Sequence, residues 1–207
     1  MPPFVAIQKS PFVQSMSVLA AFDTPARALD FVAEVLECTL SGASPPLAAV
    51  FDIDDTMLMD PGAEAKPPDV HAAVKLFWDL CGTLGMRRYI VTARPDMALR
   101  DGDTNEAFTV RELTRAGIDR WDALFMMPYA EYKQCRGNAA AYKERVRRLI
   151  VARHNEGHPA LITIGDQWGD VTSADCTPLA AAHDPAHTLV GFFDDTAVLG
   201  VKLPAAA

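Results

Sequence analysis

The chain has 207 residues, half of them hydrophobic and 22% charged, with a net charge of −8. That length fits one α/β domain, and the apolar fraction suffices for a buried core, which excludes a wholly disordered chain. The acidic balance argues against non-specific nucleic-acid binding, which calls for a basic surface, but leaves room for a local basic pocket around a phosphate.

Residues 1–23 contain prolines and show no clear period, so 1–24 is set apart as a lead-in to a single domain over 25–207. The run from Pro11 to Phe22 resembles an export signal only weakly, because Gln14, Ser15 and Ser17 interrupt it and Asp23 ends it. A cytoplasmic location is expected, with secretion or the periplasm as the alternative. No stretch approaches the length of a membrane span, so no membrane partner is expected. Cys38, Cys81, Cys135 and Cys176 form no CxxC pair and no zinc-like spacing. They read as reduced thiols, with one or two disulfides as the alternative in an exported protein.

Thr24-Pro25 reads as an N-cap with proline in the first helical position. Leu29, Val32, Leu36 and Leu40 follow at helical spacing and predict a helix over 25–40, which the Ser/Gly/Pro stretch from Ser41 to Pro46 breaks. Leu47–Phe51 is a short apolar run ending in Asp52, as expected of a strand buried on both faces. Residues 57–68 read as a loop. A helix is predicted over 69–84, with Val70, Val74, Phe77 and Cys81 facing inward, and strands over 88–92 and 123–127 flank a further helix at 105–116. A longer helix is predicted at 138–154, then strands at 160–164 and 188–193. This alternation predicts a Rossmann-like, three-layer α/β/α sandwich around a mostly parallel sheet.

In such sheets ligands bind beyond the carboxyl ends of the strands. Three predicted strands end in polar clusters: Asp52-Ile-Asp54-Asp55-Thr56, Thr92-Ala93-Arg94, and Gly165-Asp166-Gln-Trp-Gly-Asp170. Crowded carboxylates repel one another and need a cation or protons to persist. Asp52, Asp54, Asp166 and Asp170 together make an oxygen-rich set suited to Mg²⁺. Phosphoryl transfer calls for a nucleophile, a proton donor to the leaving group and positive charge on the phosphoryl oxygens. Asp52 can serve as the nucleophile and Asp54 as the acid and then the base. Lys143 and the Thr92 hydroxyl can hold the phosphate.

These motifs, in this order, resemble the haloacid dehalogenase superfamily, and most closely its acid phosphatase branch of class B bacterial and plant vegetative enzymes. The likeness rests on Val50-Phe-Asp-Ile-Asp-Asp-Thr56, Val91-Thr-Ala-Arg94, Tyr142-Lys143 and Ile164-Gly-Asp-Gln-Trp-Gly-Asp170, with Val201-Lys-Leu-Pro204 near the end. The resemblance implies a Mg²⁺-dependent phosphatase acting through an aspartyl-phosphate on Asp52. It implies that Asp54 adds its backbone carbonyl to the metal and that Asp166 is a direct ligand, with Asp170 acting through water. It also implies that Thr92, the Ala93 amide and Lys143 bind phosphate. An acidic residue two positions after the nucleophile goes with the phosphatases and related phosphotransferases of that family.

Two departures stand out. Ala93 occupies a position that is usually glycine in that branch, and the segment from Asp54 to Thr92 is too short for a folded cap domain. The expected substrate is a nucleotide or small organic phosphate in an open site, with a homo-oligomer as one way to roof it. A polynucleotide 3′-phosphatase and a non-catalytic storage or binding protein on the same fold are the rival readings.

Several residues carry plainer readings. Lys133 is a rival to Lys143. Arg145, Arg147, Arg148 and Arg153 read as a solvated helix face, and His183 and His187 as a polar loop. Trp168 is expected either at the pocket mouth or packed beneath its loop. Arg94 is expected either to pair locally or to orient Asp54.

Overall fold

A computed structural model of the chain describes residues 17–40, 48–59, 69–99, 102–135, 138–154, 161–172, 177–193 and 199–204. Helix α1 (Pro25–Leu40) begins where the proline predicts, with the Arg27 amide donating to Thr24 Oγ1 at 3.4 Å. Its Ala28, Leu29, Val32 and Leu36 are buried, one stripe of the helix facing the sheet. Helix α2 (Ala72–Thr83) buries Val74, Phe77, Trp78 and Cys81. Helices α3 (Asn105–Arg115), α4 (Tyr129–Cys135), α5 (Ala140–His154), α6 (Trp168–Val171) and α7 (Thr177–Ala182) follow in chain order.

Among the described residues, seven strands form one sheet: β1 (Ser17–Phe22), β2 (Ala48–Phe51), β3 (Arg87–Asp96), β4 (Ala123–Pro128), β5 (Leu161–Gly165), β6 (Thr188–Phe192) and β7 (Leu199–Lys202). Their order across the sheet is β1-β6-β7-β5-β2-β3-β4. The pairings around β2, β3, β4, β5 and β7 are parallel, while β6 and β1 extend the sheet antiparallel at one side. The fold is thus a mostly parallel, Rossmann-like α/β sheet.

Alternation along β2 assigns the layers. Ala49 and Phe51 face a core shared with α1 and α2, where Phe51 meets Trp78 edge-on at 5.0 Å between ring centroids. Ala48 and Val50 face the other side, against Tyr142, Val146 and Ile150 of α5. Helices on both faces explain why the central strands are mostly apolar.

The structure also adds elements. Ser17–Phe22 falls in the segment read as an unpatterned lead-in, yet forms an edge strand paired with β6. Its pairing is a matter of backbone contacts, and Ser-Val-Leu-Ala-Ala-Phe carries no alternation to announce it. Strand β3 runs on to Asp96, past the predicted end at Thr92, through a register shift against β4. β2 has already ended there, so the missing N–H of Pro95 leaves no ladder bond unmade on that side. Helix α4, six-residue α7 and four-residue β7 are too short to show a period. Of the predicted loop at 57–68, residues 60–68 lie outside the described residues, as do Leu47 and Ala160 at two predicted strand starts.

Candidate active site

The chain leaves β2 for β3 and β4 on one side, then returns to β5 on the other. This change of direction opens a crevice at the carboxyl ends of β2 and β5, where open α/β sheets bind ligands. Asp52 stands directly after β2, its amide still donating to the Ile164 carbonyl of β5 at 3.1 Å. The chain then turns sharply. The Ile53 carbonyl accepts the amides of Thr56, Met57 and Leu58 at 3.2, 2.8 and 2.9 Å, and Asp55 takes a left-handed conformation with φ of 59°. Aspartate is among the few non-glycine residues that enter this region readily. The turn brings the buried Thr56 hydroxyl against β5, where it accepts the Asp166 amide at 3.1 Å. Asp52 and Asp166 are thereby fixed from adjacent strand ends.

Asp166 and Asp170 come from the turn between β5 and α6. Gly165 has a steric reason to be glycine, because a Cβ there would overlap the Asp170 side chain. One Asp170 oxygen accepts the Gln167 amide at 2.8 Å, and the other accepts Lys143 Nζ. The Asp170 carbonyl accepts the Thr163 hydroxyl at 2.8 Å and Arg147 Nη1 at 2.6 Å, and Arg147 also reaches the Gly169 carbonyl at 2.9 Å.

This corrects the reading of Arg147 as part of a solvated face. Arg147 is buried, one helical turn beyond Lys143, and both project from α5 toward the sheet. Arg145 and Arg148 do lie on the surface, paired with Glu131 and Glu144, and Arg153 is exposed.

Lys143 is the cation of the cluster. Its Nζ lies 2.7 Å from Asp52 Oδ1 and also bonds Asp170, and the three side chains are at most 7% exposed. Its rival Lys133 sits over the Tyr129 ring of α4, 4.5 Å from the centroid. Asp52, Asp166 and Asp170 are all buried, with one oxygen from each lying within 4.8 Å of the others. Three carboxylates and one ammonium sum to a charge of −2 (−3 + 1); nearby Asp55 and Lys202 cancel, and the buried Arg147 guanidinium behind Asp170 leaves −1.

Protonation follows from this imbalance. Burial, then the Asp170 charge, push the Asp52 carboxyl well above the ordinary aspartate range, and Lys143 only partly opposes them. Burial and the Asp170 charge raise Asp166 as well. Burial disfavours the Lys143 ammonium, but the two carboxylates outweigh it and raise its pKa. The upward shifts of Asp52 and Lys143 point opposite ways for their shared bond. They reconcile because Lys143 has two anions, whereas Asp52 shares one cation with Asp170. A buried all-oxygen set in which carboxylates outnumber cations fits a hard divalent cation.

Asp54 stands apart. Its carboxylate turns toward Arg94, whose Nη2 lies 2.6 Å from Oδ1 and whose Nε lies 3.1 Å from both oxygens. The two expectations for Arg94 are not exclusive: it contacts Asp54 and also pairs with Glu112 of α3. Thr92 is fully buried, two residues beyond Ile90, the β2-facing partner of Phe51, and its hydroxyl accepts the Arg94 amide at 3.2 Å. Ala93 is half-buried beside it at the same strand end. Glu112 and Thr109 of α3, which hold Arg94 from behind, went unread in the sequence. Their one signal is a buried carboxylate and hydroxyl three positions apart, where an amphipathic helix would place apolar groups.

Trp168 packs edge-on against Phe193 with centroids 5.5 Å apart, the packed alternative of its two readings. His187 lies in a loop 3.8 Å from Asp184, and among the described residues the Asp52, Asp166 and Asp170 group is the metal-compatible cluster. Cys81 and Cys135 are free thiols, while Cys176 and the Cys38 side chain lie outside the description. No helix among the described residues is long and apolar enough to cross a membrane. No family model and no curated protein matches this chain.

Proposed function

We propose that the chain is a Mg²⁺-dependent phosphomonoester hydrolase of the haloacid dehalogenase superfamily, close to its acid phosphatase branch. The observation that carries this reading is the buried Asp52 carboxylate at the switch point, beside Asp166, Asp170 and Lys143 in a cluster where carboxylates outnumber cations. Asp52, Asp166, Asp170 and the Asp54 carbonyl would hold Mg²⁺, which when bound supplies charge neutralisation and draws electron density from the phosphoryl group.

The protein's own groups carry the rest. An Asp52 oxygen attacks phosphorus as the ester P–O bond breaks, and Asp54 donates a proton to the departing oxygen. Asp54, now ionised, takes a proton from a water that attacks the aspartyl-phosphate. Phosphate leaves, Asp52 is restored, and the net change is ester plus water to alcohol plus phosphate. Lys143, already on the attacking carboxylate, balances charge on the phosphoryl oxygens together with the Thr92 hydroxyl and the Ala93 amide.

Between Asp54 and Thr92 the described residues hold α2 and its connections and no further domain. An open cleft suits a nucleotide or small organic phosphate, roofed by solvent or by a second copy of the chain. Release of p-nitrophenol from p-nitrophenyl phosphate, requiring Mg²⁺ and abolished in Asp52→Asn, is the expected result. Turnover that survives Asp52→Asn refutes the assignment of the nucleophile.

A further inference from the structure

Arg94 is nine-tenths buried, with its side chain 10% exposed. Its guanidinium reaches in two directions. Toward the cleft it makes a three-contact fork on Asp54, a carboxylate that is itself 37% exposed. Toward α3 its Nη1 lies 2.6 Å from Glu112 Oε2 and 3.1 Å from Thr109 Oγ1. Glu112 is 6% exposed and Thr109 fully buried, so this rear anchor is set in the packed interior.

Charge balance alone does not account for the fork. The buried Glu112 already neutralises Arg94, and a partly exposed carboxylate such as Asp54 gains little stability from an ion pair because water screens it. What the fork does accomplish is geometric. An aspartate on a tight turn has two free side-chain torsions. A planar guanidinium bound to both of its oxygens fixes them, which a lysine's point charge does not. The rear bonds remove the same freedom from Arg94.

Resting on the phosphatase reading above, we infer that Arg94, buttressed by Glu112 and Thr109 of α3, is a positioning residue that aims the Asp54 carboxyl for proton transfer. Helix α3 contributes no group to the phosphate site, yet through this chain it sets the aim of the acid. A misaimed acid slows departure of a poor leaving group far more than of one that leaves without a proton.

The test compares kcat/KM, which reports the first chemical step, for benzyl phosphate and p-nitrophenyl phosphate. Benzyl alcohol needs a proton to leave, whereas p-nitrophenolate does not. In Arg94→Met, kcat/KM for benzyl phosphate is expected to fall about 100-fold or more, and for p-nitrophenyl phosphate less than about 10-fold. Arg94→Lys restores the charge without the fork and recovers only part of the benzyl phosphate loss. Glu112→Gln shows the same bias at smaller size.

Arg94→Met removes the Arg94 contact of the buried Glu112, so Arg94→Met/Glu112→Gln is measured beside it, with circular dichroism and thermal unfolding to verify the fold. The same bias toward benzyl phosphate is expected there, and if neither folds, Glu112→Gln decides. Equal loss on both substrates in a folded variant overturns the inference and leaves the phosphatase reading standing. A wild-type protein inactive on both substrates overturns the phosphatase reading and the inference with it.

Discussion

The charge imbalance around Asp52 makes a prediction about stability that needs no substrate. In metal-free protein at neutral pH, Asp52→Asn should be more stable than wild type. The folded-state pKa of Asp52 lies well above the ordinary value of 3.8, for two reasons: its carboxylate is buried, and it shares a single lysine with Asp170. The folded state therefore binds a proton that the unfolded chain has released. The contribution of Asp52 to stability is present in full below its unfolded pKa and is lost as pH rises through the folded one. Asparagine keeps the volume and an acceptor for Lys143, and leaves Lys143 with one matched anion in Asp170.

Each pKa unit corresponds to about 1.4 kcal/mol, and a chain of this size shifts its Tm by about 2–4 °C per kcal/mol. The expected gain is thus about 3–6 °C for each unit of elevation. The assay is thermal unfolding by circular dichroism in EDTA from pH 4 to pH 8. The variant's advantage should grow toward pH 8 and vanish toward pH 4. Mg²⁺ at 100 times its Kd adds about 2.7 kcal/mol to the wild type and should shrink the variant's advantage, erasing it for an elevation of up to about two units. A variant less stable than wild type in EDTA at pH 7 refutes the view that the cluster lacks positive charge.

Other positions carry sharper local expectations. Gly165→Ala places a Cβ on the Asp170 side chain and should weaken Mg²⁺ binding at least about 10-fold by displacing that carboxylate. Calorimetric titration with Mg²⁺ measures this, and unchanged affinity contradicts it. Arg147→Met removes charge-assisted bonds to the Gly169 and Asp170 carbonyls and should cost about 1.5–3 kcal/mol in urea unfolding. A change under about 0.5 kcal/mol, typical of a solvated surface residue, would return Arg147 to that class. Cys81 is fully buried and its thiol is pushed up to about 12 by burial, so it should resist alkylation at pH 8. Peptide mapping by mass spectrometry after iodoacetamide should find the more accessible Cys135 labelled and Cys81 unlabelled until the protein unfolds.

How far the sequence carried the fold depended on what each element buries. β2, β3, β5 and α1 bury whole faces, so their apolar runs and helical spacing mark them in the chain. β1 is held by a strand distant in sequence, and β7, though it also pairs with the preceding β6, is Leu199-Gly-Val-Lys202, which carries no periodicity of its own. Its Gly200 makes sense only once the Phe193 ring is seen to occupy the place of a Cβ. The site divides the same way. Asp52, Asp54, Asp166 and Asp170 follow strand ends, a position that sequence exposes. Lys143 was legible as a helical lysine, but its shared bond to Asp52 and Asp170 was not. Arg147 was missed because a run of arginines reads as a charged surface. The four-residue step from Lys143 was the available clue that both leave α5 on one face. Glu112 offered only its place beside Thr109 on the inward stripe of α3, because its partner Arg94 is on another element.

The two ion clusters have opposite architectures, and the difference bears on mechanism. Around Asp52 the cluster is buried, short of cations and held by a single lysine, so it stays unbalanced until positive charge arrives. Around Asp54 the carboxylate is partly exposed and its arginine is anchored from behind. The first arrangement would suit a nucleophile, because a bound dication offsets the crowded carboxylates and lets a phosphoryl group approach them. A proton-transfer group benefits from the second, because it keeps access to solvent while its aim is fixed. Asp52 and Asp54 lie two residues apart on one turn, and the left-handed Asp55 with the triple use of the Ile53 carbonyl sends the chain back on itself there. That bend is what lets neighbouring carboxylates sit in such different surroundings, as the proposed division of roles between Asp52 and Asp54 requires.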